Sequence, residues 1–461
     1  MTLHEKQREV IKSDARFKVI RAGRRSGKST LEIEDMCFQA VSGKDRPIFY
    51  IAPTQKQARS IIWESLKARL GGIGSPNESR LEMKVPTKDG GFSTIEIAGW
   101  ENRENFRGRK AWKIYFDEVD TMKDFFIGWQ EIFRPALIDF SGGAMFCGTP
   151  KKENPNLRRL EKISETDSDF KGFHFTSLDN PFLEELEKVK ARDEMDKDTY
   201  KQEILAEYVD NAGSLFKYTA LIDMFSNTVV KNNEKYLIVD VADDGSDKTV
   251  FSFWNSLEMY RVDVFERLNT EGIINQTREF AAQEQIPYSQ IAVDAIGVGA
   301  GVASSSLLDG IVGYKSSHQA IKTDADIVRL PNVHYTDKIP LTSEYKNLRS
   351  QCVFTLAGKV NNHEIAVRCS DIRIKEKIIE ELALYQDVSS GDGKRMATTT
   401  EDIKTSLGRS PDIASTFIMR MYFEIRNQLA PNQSEEKAKL ARELESRFMM
   451  NKSRQGLNSA K

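Results

Sequence analysis

FKVIRAGRRSGKST, residues Phe17 to Thr30, decides how this chain is read. Phe17, Val19 and Ile20 predict a short buried strand, and Gly27-Lys28-Ser29-Thr30 closes the turn that follows it. Leu31, Ile33, Met36, Cys37 and Ala40 then recur at helical spacing. A glycine-bearing turn between strand and helix is a phosphate-binding loop, because backbone N–H groups and the positive end of the helix dipole converge on one anion. Lys28 is expected to reach the β/γ oxygens of a nucleoside triphosphate and Ser29 to hold Mg²⁺. Arg24, Arg25, Ser26, Gly27 and Thr30 complete the expected ATP-binding loop. The strict pattern places glycine at position 22, where this chain has Ala22; Gly23 beside it still permits the turn.

Outward from the loop, the 461 residues predict two to three domains. Charged residues make up 30% and the formal net charge is -2, so no global basic field announces nucleic acid. Any such binding must come from local patches. Cys37, Cys147, Cys352 and Cys369 form no CxxC pair and read as reduced, mostly buried thiols. No apolar run is long enough for a membrane span, and MTLHEKQREV does not read as a signal peptide. Membrane partners are not expected.

Residues 1–176 alternate short strands with helices, predicting a mostly parallel sheet covered on both faces. The expected strands are 17–20, 47–52, 92–98, 113–117, 144–148 and 172–176. Residues 177–213 are charged and expected to be a helical linker or lid, ending near Asn211-Ala212-Gly213-Ser214. A second α/β pattern spans 214–430, with a buried strand at 236–242, antiparallel partners at 249–254 and 259–265, a helix near 271–285 and another buried strand at 290–295. Residues 388–400 read as a loop or hairpin. The segment 431–461 is polar, with seven Lys/Arg against four Asp/Glu from Asn432 onward, and is expected to be a mobile tail.

Lys113-Ile114-Tyr115-Phe116-Asp117-Glu118 is an apolar strand ending in two acids. Beside a phosphate loop, Asp117 is expected in the Mg²⁺ shell and Glu118 to polarise the attacking water. A further strand ends in Cys147-Gly148-Thr149-Pro150, with Thr149 placed to sense the γ-phosphate. Gln7 is a candidate to read adenine through its amide. The Arg107-Gly108-Arg109-Lys110 cluster is a source of a charge-neutralising arginine, in cis or from a neighbouring subunit; Arg24 and Arg25 compete for that role.

The second pattern has no phosphate loop. Asp240 and Asp294 each close an apolar strand, and Asp412 follows Ser410-Pro411 at the start of a helix. A carboxylate at the end of a buried strand is costly unless it pairs or binds a cation. Acids without nearby Cys or His suit Mg²⁺ or Mn²⁺, and two such ions assist phosphodiester hydrolysis. Asp247 is the better second-tier ligand among Asp243, Asp244 and Asp247. Lys404 and Arg409 are DNA-phosphate contact candidates.

With both sites in view, residues 1–425 resemble the large terminase subunits of tailed bacteriophages. The resemblance rests on the Gln7 region, Ala22–Thr30, Tyr50-Ile51-Ala52-Pro53-Thr54, Phe106-Arg107-Gly108, Asp117-Glu118, Gly148-Thr149-Pro150, Asp240, Asp294 and Gly408-Arg409-Ser410-Pro411-Asp412. It implies an ASCE-type P-loop ATPase domain joined to a ribonuclease H-like nuclease. The implied activity is ATP-driven movement of double-stranded viral DNA into a procapsid, with metal-dependent cleavage of the concatemer. It also implies a ring on the portal protein, a small terminase subunit as partner, and work in the host cytoplasm. Arg107 becomes the best candidate for an arginine supplied across that ring. Many relatives carry another acid soon after the third nuclease motif, where this chain has Ser415.

Two other readings compete. Asp117-Glu118-Val119-Asp120 matches the DExD pattern of helicases, which need a second motor-like domain. A nucleotide-gated capsid adaptor with inactive C-terminal acids is the other.

Overall fold

The computed structural model describes residues 2–151, 155–209, 213–242, 248–321, 344–389 and 394–427. Asp243, Asp244, Asp247 and the expected tail 431–461 therefore lie outside the described residues. The chain divides into two compact units, Met1–Asn211 and Ala212–Lys461.

The first unit is built on an eight-stranded sheet: β1 (Phe17–Ala22), β2 (Pro47–Ala52), β3 (Ser75–Asn77), β4 (Glu82–Pro86), β5 (Phe92–Gly99), β6 (Lys113–Phe116), β7 (Gly143–Gly148) and β8 (Phe170–Phe175). Their order is β3-β4-β5-β2-β6-β7-β1-β8. The six strands from β5 to β8 in that order run parallel. Strand β4 pairs antiparallel with β5, and the edge strand β3 antiparallel with β4. Strand β7 separates the loop strand β1 from the acidic strand β6, the arrangement that defines an ASCE-type P-loop fold. It also brings Thr149, just past β7, between the other two strand ends. Alternation sorts the side chains: Tyr115 and Cys147 face the core beneath the loop helix Lys28–Ser42. Phe116 and Phe146 instead stack at 5.4 Å on the other face, among Trp100, Phe125, Trp129 and Phe133.

The expected helical run 177–213 is broken. Ser177–Asp179 forms a 3₁₀ turn and Glu185–Glu194 a helix with no buried residue. Pro181 disfavours helix at Asn180, so the run cannot be continuous. This segment touches the loop nonetheless. Ser177 Oγ donates to Arg24 O at 2.5 Å and Asn180 Nδ2 to Arg25 O at 2.7 Å. The Arg24 N–H donates to Glu203 O at 2.7 Å. A Cβ at position 23 would stand 2.3 Å from Ile204 O, which is why glycine is needed there.

The second unit carries β9 (Lys235–Asp240), β10 (Thr249–Asn255), β11 (Glu258–Phe265), β12 (Ile291–Asp294), β13 (Val312–Tyr314) and β14 (Ala366–Val367). Their order is β13-β12-β9-β10-β11-β14. An antiparallel meander β9-β10-β11 is extended by β12 and β13, both parallel to β9. This is the ribonuclease H-like sheet, not a second motor sheet, so the tandem-motor arrangement of a helicase is absent from the described residues. The helix over residues 412–427, with Phe417, Ile418 and Met421 buried, packs into the core of this unit. No described helix is long and apolar enough to cross a membrane.

Candidate active sites

Gly27 sits at φ +93°, and a Cβ there would meet Gln7 Nε2 at 2.4 Å. Glycine is thus required both by the backbone and by its neighbour. Gln7 braces the loop: its Nε2 donates to Gly27 O at 2.8 Å and its Oε1 accepts from His4 N at 2.9 Å. His4 Nε2 donates to Ser26 O at 3.0 Å. One N–H and one lone pair of the Gln7 amide remain beyond these two bonds.

Lys28 is buried at the end of the sheet. Its Nζ donates to Thr149 Oγ1 at 2.7 Å and pairs with the Glu118 carboxylate at 3.3 Å. Thr149 Oγ1 donates in turn to Ala22 O at 3.0 Å. Asp117 is buried, and Tyr50 OH donates to its Oδ2 at 2.6 Å. Its other oxygen, Oδ1, has no hydrogen-bond partner. Burial and the adjacent Glu118 push the Asp117 carboxyl up to about 6, against the pull of Lys28 and Tyr50. An orphaned buried carboxylate oxygen beside Ser29 and Glu118 suits a hard divalent cation. Glu32, on the loop helix, is wholly buried with neither oxygen hydrogen-bonded, and burial and Asp117 push its carboxyl well above the usual range.

Arg24, Arg25, Ser26, Gly27, Lys28, Ser29 and Thr30 line one cavity of about 740 Å³ together with Asp117, Glu118 and Thr149. A neighbouring cavity of about 290 Å³ shares Gly27, Thr30 and Asn180 and is lined by His4, Gln7 and Phe182. Lys151 and Glu203 are site residues the sequence did not single out. Glu203 pairs with Arg24 and accepts from Lys151 Nζ at 2.5 Å. Nothing in the sequence links positions 24 and 203. Asp120 is not part of the phosphate cavity: its two oxygens accept from Leu157 N at 2.7 Å and Lys151 N at 2.9 Å. Arg107 is also outside the cavity, half-exposed and paired with Glu104 at 2.6 Å and Glu131 at 3.1 Å.

In the second unit, β12 pairs with β9 so that Val293 lies beside Val239. Asp294 and Asp240 follow these residues, at the same end of adjacent parallel strands about 4.8 Å apart. Asp412 begins the third element, and the three acids line one cleft of about 190 Å³ with Lys404, Glu401 and Ser415. Among the described residues no three acids converge into a ready-made metal site. Three carboxylates on one cleft still form an oxygen donor set of the kind Mg²⁺ or Mn²⁺ takes, with substrate phosphate and water as remaining ligands.

What fixes Asp412 was invisible in the sequence. Glu381, buried on helix Ile372–Ala383, accepts from Ala414 N at 2.8 Å, capping the helix that Asp412 opens. It also pairs with Arg409, whose other nitrogen donates to Glu380 at 2.7 Å. Arg409 therefore holds this corner together. The sequence expected it on DNA phosphate; Glu380 and Glu381 hold its guanidinium, and it lines a small neighbouring cavity with Ser410 and Asp412.

The chain thus joins a P-loop unit of ASCE order to a ribonuclease H-like unit. The family model for the N-terminal part of the T4likevirus-type terminase large subunit matches residues 19–222. The large terminase subunit of Thermus phage G20c is 24% identical over 354 residues, covering 67% of this chain and 71% of the relative. That of Thermus virus P23-45 is 23% identical over the same shares. A large terminase structure from a thermophilic bacteriophage is similar at 16% identity and TM-score 0.42, covering 89% of this chain and 98% of that one. Two thirds of the chain is thus similar to large terminase subunits of these phages.

Proposed function

We propose that the first unit hydrolyses ATP to move double-stranded DNA into a procapsid and that the second unit cuts the DNA in a divalent-metal-dependent reaction. The observation that carries this reading is the joining of three strand ends by one ammonium, Lys28 Nζ reaching both Thr149 and Glu118, beside the orphaned Asp117 Oδ1. The triphosphate takes the loop cavity, with Lys28 on the β/γ oxygens and the base in the adjoining space beside Gln7. Ser29 and Asp117 would hold Mg²⁺, which would supply charge neutralisation at the phosphates. Glu118 orients the attacking water. Thr149, hydrogen-bonded to Lys28, passes loss of the γ-phosphate to the end of β7.

Asp240, Asp294 and Asp412 would hold Mg²⁺ or Mn²⁺, whose chemistry is to activate water and stabilise the leaving oxygen of a phosphodiester. Arg107, outside its own phosphate cavity and half-exposed, is suited to serve a neighbouring subunit in a ring on the portal. The small terminase subunit selects the genome, in the host cytoplasm. The domains of this reading are residues 1–176, the lid 177–213, and the nuclease 214–430. The test is nicking of supercoiled plasmid in Mn²⁺ without ATP, comparing wild type with Asp294→Ala. Cleavage by wild type alone supports the nuclease; equal cleavage by both removes it.

A further inference from the structure

We propose that Arg349 is a substrate-contacting residue of the acidic cleft, binding a phosphodiester oxygen of the strand held against Asp240, Asp294 and Asp412. This rests on the nuclease reading above. A cleft lined by three aspartates and Glu401 is strongly anionic, and beyond the divalent ions those aspartates would hold, a DNA phosphate is drawn to a side-chain cation in the lining. Among the described residues two cations line the cleft, Arg349 and Lys404. Lys404 stands on the exposed side of helix Thr400–Leu407, and Arg409 is held by Glu380 and Glu381.

Arg349 is anchored differently. Its Nη1 donates to Thr398 O at 2.8 Å and its Nη2 to Tyr385 OH at 3.5 Å, with the guanidinium 5.4 Å from the centroid of the Tyr385 ring. Its backbone N–H donates to Ser316 O at 3.2 Å, at the start of helix Leu348–Asn361. Every one of these anchors is neutral, so the guanidinium is positioned without being neutralised. Five donors serve a guanidinium, and its planar fork matches two oxygens of a phosphate. Tyr314, beside Asp294 in strand register, places its buried hydroxyl at the same cleft, next to the Cys352 thiol. A phosphate there meets a fixed positive fork beside the metal-binding acids.

The experiment is plasmid nicking in Mn²⁺ by the full chain, comparing wild type, Arg349→Gln, Arg349→Lys and Asp294→Ala, with melting temperatures of each. Glutamine stays polar but ends where Arg349 Nε stands and carries no charge. Arg349→Gln is expected to nick about 10- to 100-fold more slowly at an unchanged melting temperature, the loss of one charge-assisted contact. Arg349→Lys is expected to recover part of that rate. Wild-type nicking by Arg349→Gln with a dead Asp294→Ala overturns the role of Arg349 and leaves the nuclease standing. Undiminished cleavage by Asp294→Ala overturns both. A lowered melting temperature in Arg349→Gln that Arg349→Lys shares, with equal loss of rate, assigns Arg349 to structure alone and overturns the inference.

Discussion

Lys28 Nζ stands 3.3 Å from the Glu118 carboxylate while donating to Thr149 at 2.7 Å, so a single ammonium ties the ends of β1, β6 and β7. The cation meant for phosphate and the acid meant for water are partners of each other. A triphosphate entering the cavity competes with Glu118 for Lys28 and leaves that carboxylate available to water. Lys28→Ala is expected to lower ATP hydrolysis by at least about 100-fold, through loss of transition-state charge stabilisation. Plasmid nicking in Mn²⁺ should persist, since the nuclease acids lie in a separately built unit. Phosphate release and plasmid nicking, measured on the same preparation, check both halves; loss of nicking would contradict two separate sites.

Tyr50 OH holds one oxygen of Asp117 at 2.6 Å and leaves the other without a partner. Tyr50→Phe frees the carboxylate to rotate. The Mg²⁺ concentration giving half-maximal ATPase is expected to rise about 10-fold, as when an outer partner of a metal ligand is removed. A titration of activity against Mg²⁺ reads it directly; an unchanged midpoint would remove Tyr50 from the site.

Asp120 is buried, and burial pushes its carboxyl up to about 8 despite the two backbone N–H donors. A folded-state value above the unfolded one means that the folded chain binds the proton more tightly. Stability from this group is then present at low pH and lost as pH rises from about 4 toward about 8. Asn removes the charge but offers one acceptor where the carboxyl offers two, leaving one of the two N–H donors unpaired. Asp120→Asn should therefore melt below wild type at the acid end, with the gap narrowing as pH rises through 8.

Glu381 accepts from Ala414 N and pairs with Arg409 while buried. Removing it leaves the Ala414 N–H without its acceptor, while Arg409 keeps Glu380. Glu381→Ala is expected to destabilise the second unit by about 1–3 kcal/mol. Glu381→Gln retains a cap for Ala414 and should lose less. Denaturant unfolding followed with the nicking assay checks both, since a loosened Asp412 lowers cleavage in the same order. Equal stability of all three proteins would show that the pair has no structural role.

The sequence by itself determined the strand-loop-helix of Phe17–Thr30, the acidic strand end at Asp117-Glu118, and the two α/β patterns, because these are local. Glycine in a turn, apolar periodicity and an acid after a buried strand are each written within about ten consecutive residues. Asp240 and Asp294 were legible for the same reason. Strands β3 and β4 were not: β3 is three exposed residues, and β4 offers only two buried apolar positions, Met83 and Val85, between charged ones. Only the tertiary structure decided which charges pair. Arg409 pairs with Glu380 and Glu381, 29 and 28 residues earlier in the chain. Arg349 lies in the acidic cleft and Glu203 beside Arg24 for reasons of packing between distant segments. A side chain's charge is fixed by its own chemistry, whereas its partner is fixed by which distant residues the folded sheet and helices bring within a few ångströms.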